Sequence, residues 1–255
     1  FWPESISIIM KIALSGYGKM GKEIEKIALE RGHEIVVTFN DPDDWSGKEN
    51  ELAQADVAIE FSMPQSVVSN IFRCFDANTP VVVGTTGWFG QLEHVTEVCR
   101  KNNRSLLYAS NFSIGVNLFF EVNKMLANLM NEHEEYHVSI EETHHTAKLD
   151  SPSGTAISLG NSIIDNLDAK NLWVNEKSDK DYELEIFSHR EEDVPGTHVV
   201  KYESDIDTIE IKHTAKSRVG FAKGAVLAAE WLASKKGVYT MTDLIKDVKF
   251  EGFAK

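Results

Sequence analysis

Ile12-Ala13-Leu14-Ser15-Gly16-Tyr17-Gly18-Lys19-Met20-Gly21 decides the first half of this chain. A short apolar strand runs into two glycines that permit a tight turn and close approach of backbone to a ligand, and Gly21 lets the next helix lie against the strand. The helix is read from Met20, Ile24, Ile27 and Ala28, which recur at helical spacing, with Gly32 where a C-terminal cap belongs. A plain glycine turn is the bland alternative. The strand before and the helix after favour a dinucleotide fingerprint instead.

Working outward, short apolar runs alternate with amphipathic ones as far as Ser113, the rhythm of βαβ units and a parallel sheet. Strands are predicted at Ile12–Ser15, Glu34–Phe39, Val57–Phe61, Pro80–Gly84 and Ser105–Ala109. The second ends in Thr38-Phe39-Asn40-Asp41, where an acid would bond the adenosine ribose hydroxyls, so Asp41 is the candidate; a turn into Pro42 is the alternative role. No Arg or Lys lies between Thr38 and Gly47, and Asp43 and Asp44 would repel a 2′-phosphate. NADH is therefore expected over NADPH. Lys19 stands where it can reach a phosphate.

Beyond Ser113 the rhythm changes. Asn117–Met130 carries Leu118, Phe119, Val122, Met125, Leu126, Leu129 and Met130 on one broad apolar face, expected to be core. Tyr136–Glu142 and Thr208–His213 alternate as strands of a half-covered sheet, and the acid-rich stretch Asn175–Glu192 is expected to loop. Ala225–Lys236 reads as a helix capped by Gly237 that returns to the first domain. The expected fold is thus α/β, a Rossmann-type doubly wound parallel sheet plus a second α+β domain with a mixed open sheet. Its domains would be 10–116 with 222–255 for the dinucleotide, and 117–221 for substrate and oligomerisation. Residues 1–9 precede Met10 and are read as an added or start-site extension.

Glu141 to Thr155 holds His144, His145 and Lys148, followed by Pro152-Ser153-Gly154-Thr155 ahead of an apolar run. The run reads as a helix N-terminus whose free N–H groups suit an anion, so a proton donor beside a carboxylate cradle is inferred. A single histidine is more often a surface or packed residue than a catalyst, and clustering raises the weight. No metal is expected, because adjacent histidines on an extended segment face opposite ways and no Cys, His-x-x-x-His or His-Glu-x-x-His spacing supplies further ligands.

The chain has 255 residues and a formal net charge of −14. Such an acidic surface argues against nucleic acid as a partner. Only Cys74 and Cys99 occur, outside any Cys-x-x-Cys pattern, which points to a reducing cytoplasm. No apolar stretch approaches a membrane span, so no membrane partner is expected.

Taken together, Gly18-Lys-Met-Gly21, Glu60-Phe-Ser62, Val83-Gly-Thr-Thr-Gly87, Ala109 to Asn117, His144-His145 with Lys148 and Pro152 to Ala156, and His213 to Ala225 resemble 4-hydroxy-tetrahydrodipicolinate (dihydrodipicolinate) reductases of diaminopimelate and lysine biosynthesis. The resemblance spans about Met10 to Asp243. It implies reduction of a cyclic imine dicarboxylate by NADH or NADPH. The cofactor contacts it implies are Gly16, Tyr17, Gly18, Lys19, Met20 and Asp41, with Phe61, Ser62, Gly84, Thr85, Thr86, Ala109, Ser110, Asn111 and Phe112 on the nicotinamide side. His144 falls on the catalytic acid and Lys148 on its partner lysine. His145, Ser153, Gly154 and Thr155 hold substrate, and Arg218 in the basic stretch Ile211–Lys223 is a further carboxylate candidate. Two departures stand out: one residue fewer between the first two glycines, and a shorter run from Pro195 to His213. The expected assembly is a homo-oligomer, a tetramer by resemblance with a dimer as the alternative. The competing functions are another two-domain nicotinamide oxidoreductase and a non-catalytic dinucleotide-sensing module.

Overall fold

The computed structural model describes residues 9–217 and 219–253. They form two compact units, the first running to Ile114 and resuming at Val219, the second beginning at Gly115 and lying between.

In the first unit β1 (Lys11–Ser15), α1 (Lys19–Glu30), β2 (Glu34–Phe39), α2 (Glu49–Ala53), β3 (Val57–Glu60), α3 (Val67–Asp76), β4 (Val81–Val83), α4 (Leu92–Lys101) and β5 (Ser105–Tyr108) alternate along the chain. After the second unit come α7 (Val219–Leu232), β11 (Gly237–Tyr239) and α8 (Met241–Phe253). All six strands are parallel, in the order β11-β5-β4-β3-β1-β2. Parallel strands covered on both faces need continuous apolar runs, and Ile12, Leu14, Val57, Ile59, Val82 and Leu107 indeed face one buried cluster while Ala13, Ala58, Val81, Val83 and Leu106 face another. The chain moves outward from β1 to β2 and then crosses to β3 on the other side. The strand order therefore reverses at β1, and a crevice opens beyond the carboxyl ends of β1 and β3.

The second unit contains most of α5 (Ile114–Met130), then β6 (His137–His144), α6 (Gly154–Ile164), β7 (Leu172–Val174), β8 (Glu183–Arg190), β9 (Thr197–Glu203) and β10 (Thr208–Thr214). Its strands make a mixed sheet in the order β10-β9-β6-β8-β7. Val138, Ile140, Leu184, Ile186, Val200 and Tyr202 bury one face against Phe119 and Ala127 of α5 and Ala156, Leu159 and Ile163 of α6.

Several expectations change here. The acid-rich stretch expected to loop contains β8, a strand paired on both sides. Its period-2 signal was hidden because Glu183 and Glu185, buried on the face opposite Leu184 and Ile186, are satisfied by Ser178, Lys180 and His137. The broad apolar face of α5 is only partly core: Phe119 and Met130 are buried, whereas Leu118, Val122, Met125 and Leu129 are 40–65% exposed. The helix expected at Ala225–Lys236 is Val219–Leu232, and Gly237 starts β11 instead of capping it, its φ of +124 suiting glycine. Among the described residues no helix is long and apolar enough to cross a membrane.

Candidate active site

The crevice of the first unit is lined by Ser15, Gly16, Gly18, Phe39, Asn40, Asp41, Trp45, Phe61, Ser62 and Met63. Gly16 has φ +87, and a Cβ there would lie 2.2 Å from the Phe61 carbonyl oxygen. A Cβ on Gly21 would lie 2.3 Å from the Gly16 carbonyl oxygen. Both positions are thus closed to any side chain, which is what keeps the turn flat and the start of α1 close to the sheet. Gly18 is the N-cap of α1, and a Cβ there would meet nothing within 4 Å, so the first N–H groups of the helix face open space. Lys19 is exposed beside them, and Tyr17 is turned away to donate to Glu25. The glycine turn and Asp41 thus frame a cleft that fits a dinucleotide.

Asp41 is exposed at the end of β2, heading a short 3₁₀ turn over Pro42–Trp45. The Asp44 carboxylate accepts the backbone N–H groups of Asn40 (2.7 Å) and Asp41 (3.1 Å), which lower its pKa. Asp44 therefore fixes the turn, and Asp41, whose carboxylate accepts Asn40 Nδ2 at 3.3 Å, lines the crevice. Lys48 Nζ lies 3.4 Å from the Thr38 carbonyl oxygen, a base that folding brings near this end from just beyond Gly47.

Phe61 and Ser62 follow β3, Gly84–Thr86 follow β4 and Ala109–Phe112 follow β5, all at the carboxyl edge of the sheet. A Cβ on Gly84 would lie 2.2 Å from the Phe61 ring, and the Phe61 and Phe112 rings are 5.6 Å apart. Glu60, quoted in the Glu60-Phe-Ser62 motif but given no role from sequence, is fully buried beneath this edge. Ser62 donates to it, and Asn70 Nδ2 reaches Glu60 Oε1 at 3.3 Å and Ser62 Oγ at 3.2 Å. Burial raises the Glu60 pKa against the opposing hydrogen bonds of Ser62, Thr85 and Asn70.

The second unit gathers its polar groups at one end of its sheet. Glu142 and His144 lie two apart on β6 and so share a face. Across β6 and β9, Glu142 pairs with His198; across β6 and β8, His144 pairs with Arg190; across β9 and β10, His198 pairs with His213. His144 is 8% exposed, and its Nδ1 lies 3.0 Å from Glu142 Oε2. The ring is not yet aligned for a linear hydrogen bond on that oxygen. The other oxygen, Oε1, accepts the Ser153 backbone N–H at 3.1 Å and the Arg190 guanidinium at 3.3 and 3.4 Å. Burial works to raise the Glu142 pKa, but the polar groups of His144, Ser153 and Ser188 beside it outweigh that and hold the carboxyl well below its usual range. His198 sits 3.0 Å from Ser153 Oγ, and burial, then the repulsion of His144, pushes its pKa down to about 4.

Ser153 caps α6, its Oγ accepting the Ala156 N–H at 3.2 Å. Gly154 is exposed and a Cβ there would meet nothing within 4 Å, so the helix start is open to a ligand. His145 is half-buried just past the strand, and Lys148 Nζ pairs with Asp150 at 2.8 Å. Arg190 also bonds the Asp150 carbonyl at 2.6 Å, tying this loop to Glu142. Sequence reading missed Glu142, Arg190 and His198 because they meet only through strand pairing, and two of them lie in strands it did not draw. Arg218 lies outside the described residues.

Glu142, His144 and His198 also place one possible metal-ligand atom each within 4.8 Å of one another, a grouping made by strand pairing that residue spacing along the chain does not reveal. The guanidinium on the same carboxylate opposes a second cation, and a 3.0 Å N···O approach fits a hydrogen-bonding pair.

Comparison with known proteins follows the same division. The description "Dihydrodipicolinate reductase, N-terminus" matches residues 10–112, and "Dihydrodipicolinate reductase, C-terminus" matches residues 115–245. The chain belongs to the dihydrodipicolinate reductase family. A 4-hydroxy-tetrahydrodipicolinate reductase of Christiangramia forsetii is 51% identical over 239 residues, covering 94% of this chain and 99% of that one. One from Rickettsia bellii is 34% identical, covering 94% and 96%. Among solved structures, the dipicolinate-bound dihydrodipicolinate reductase of Paenisporosarcina sp. TG-14 superposes with TM-score 0.75 at 22% identity, covering 91% of this chain and 98% of that one, a likeness of fold. This family is nicotinamide dinucleotide-dependent, in keeping with the closed glycine turn and Asp41 of the first unit.

Proposed function

We propose that this chain reduces 4-hydroxy-tetrahydrodipicolinate to tetrahydrodipicolinate with NAD(P)H and a proton, the 4-hydroxyl leaving as water, in diaminopimelate and lysine biosynthesis. The observation that carries the reading is His144, backed by the buried Glu142 carboxylate, beside the open N-terminus of α6. Neither a dinucleotide sensor nor a sugar dehydrogenase needs a proton donor tied to an anion cradle.

The roles follow from the chemistry of each group. The unit containing β1 binds the dinucleotide: Gly16 to Met20 cradle the pyrophosphate, Asp41 bonds the ribose hydroxyls, and Phe61, Ser62, Gly84–Thr86 and Ala109–Phe112 hold the nicotinamide side. When bound, the nicotinamide supplies a hydride. His144 Nε2 delivers the proton that completes the reduction, and Lys148 supports it by charge. The free N–H groups at Gly154 and Thr155, with Ser153, His145 and Arg218, hold the two carboxylates. We place the enzyme in the cytoplasm as a homo-oligomer, a tetramer with a dimer as the alternative. Nicotinamide absorbance should fall only when freshly generated substrate is added, and absence of that dependence would exclude the reductase.

NADH is proposed as the preferred reductant, because Asp41, Asp43 and Asp44 crowd the ribose end with negative charge. The expected result is a higher kcat/KM with NADH than with NADPH, and D41R should move the ratio toward NADPH. Equal use of both would point to Lys48 as a reader of the 2′-phosphate. For the carboxylate site, R218A should weaken pyridine-2,6-dicarboxylate binding by about 1.5–3 kcal/mol in calorimetric titration. Its NADH affinity should stay near wild type, and unaltered binding of the analogue would remove Arg218 from the site.

A further inference from the structure

We infer that Glu142 is a positioning residue that selects which imidazole nitrogen of His144 gives the proton and ties that imidazole to the helix start holding the substrate carboxylate. The inference rests on the reading of His144 as the acid.

Glu142 is wholly buried, and each of its oxygens has a separate task. Oε2 faces His144 Nδ1 at 3.0 Å, while Oε1 takes the Ser153 N–H and the Arg190 guanidinium. A carboxylate accepts and does not donate, so the nitrogen facing it keeps its hydrogen in both charge states of the ring. The proton that can be given away therefore sits on Nε2. That edge is bordered by Gly196, where a Cβ would come within 2.9 Å of Nε2, so glycine leaves the outlet clear. Through Oε1 the same carboxylate fixes the N-cap of α6, and the distance between proton donor and cradle is set by one side chain.

The charged and titratable neighbours from each packed element support the assignment. Arg190 on β8 holds Glu142 ionised. His198 on β9, 5.0 Å away ring to ring and 3.7 Å from the same Glu142 oxygen, is pushed toward its neutral form by burial and then by the repulsion of His144, and burial also lowers the His213 pKa on β10. Lys148 in the following loop spends its charge on Asp150. Glu142 is the carboxylate in contact with the ring.

The variant E142Q keeps an acceptor oxygen for Ser153 and Arg190 but turns an amide N–H₂ toward His144, which then must accept at Nδ1 and carry its neutral-state proton on Nε2. The expected outcome in the full-length protein is a fall in kcat of about 10–100-fold, with unchanged NADH affinity and little change in substrate KM. The alkaline limb of kcat/KM should move to lower pH by about 1–3 units, as expected for loss of an opposite charge within contact distance. In ¹⁵N-histidine-labelled protein, the neutral His144 signal, identified by its absence in H144Q, should report Nδ1–H in wild type and Nε2–H in E142Q. A lower kcat with an unmoved pH limb would mean a structural role only and overturn the inference, as would a wild-type profile in E142Q. If E142Q does not fold, the wild-type tautomer decides, and Nε2–H there overturns it. Wild-type kcat in H144Q is a different result, because it removes the acid itself.

Discussion

H144Q is expected to lower kcat by about 10²–10⁴-fold while leaving substrate KM and NADH affinity close to wild type, the range that general acid catalysis supplies. Glutamine fills much of the imidazole volume and can still donate toward the Glu142 carboxylate, so the buried face of β6 should survive, and what is lost is a group able to carry a transferable proton. His145 has a different place, half-buried past the strand and off the buried face. H145Q should therefore raise KM far more than it lowers kcat. K148A should follow H144Q in direction. Steady-state kinetics with both substrates separates these cases, and wild-type kcat in H144Q would move the acid to Lys148 or to solvent.

Acid should destabilise the fold through His198 by about 3 kcal/mol, from a pKa of 6.5 unfolded to about 4 folded. The folded state favours the neutral ring, so this stability is fully present above the unfolded pKa and is lost as pH falls from 6.5 toward 4. His213 is shifted the same way by burial and adds in the same direction. Glu142 is also shifted down, so its contribution too is lost on acidification, beginning only as pH falls through the ordinary carboxylate range at the acid end of this window. Denaturant unfolding at pH 7 and pH 4.5 reads the difference. H198N keeps a polar partner for Ser153 and should lose markedly less stability between these two pH values. The same loss in H198N and wild type would contradict the assignment.

What could be read from sequence was whatever depends on neighbours in the chain. The turn from Ser15 to Gly21 is local: the strand, the glycines and the helix start are contiguous, and Gly21 closes on Gly16 within it, whereas the closure of Gly16 on Phe61 comes from β3 and was not legible. The α6 start was legible for the same reason, since Ser153 caps a helix three residues ahead. Pairing across strands was not legible. Glu142 meets His198 only because β6 and β9 run antiparallel in one register, and Arg190 reaches Glu142 from a strand whose acidic residues, paired by Ser178, Lys180 and His137, disguised its alternation. On α5, composition showed a broad apolar face but could not divide it, because which half is covered depends on where the sheet lies. The buried Glu60 network was hidden likewise, its partners Ser15 and Asn70 arriving from β1 and α3.

The proposed reaction moves a hydride from reduced nicotinamide to the ring of a cyclic imine dicarboxylate. It is tested most directly by following label from NADH dideuterated at nicotinamide C4 into freshly generated 4-hydroxy-tetrahydrodipicolinate, with mass analysis of the product. The account predicts tetrahydrodipicolinate carrying one deuterium per molecule, formed in step with NADH consumed and suppressed by pyridine-2,6-dicarboxylate. Product without deuterium, or NADH consumption that does not depend on the dicarboxylate, would contradict it.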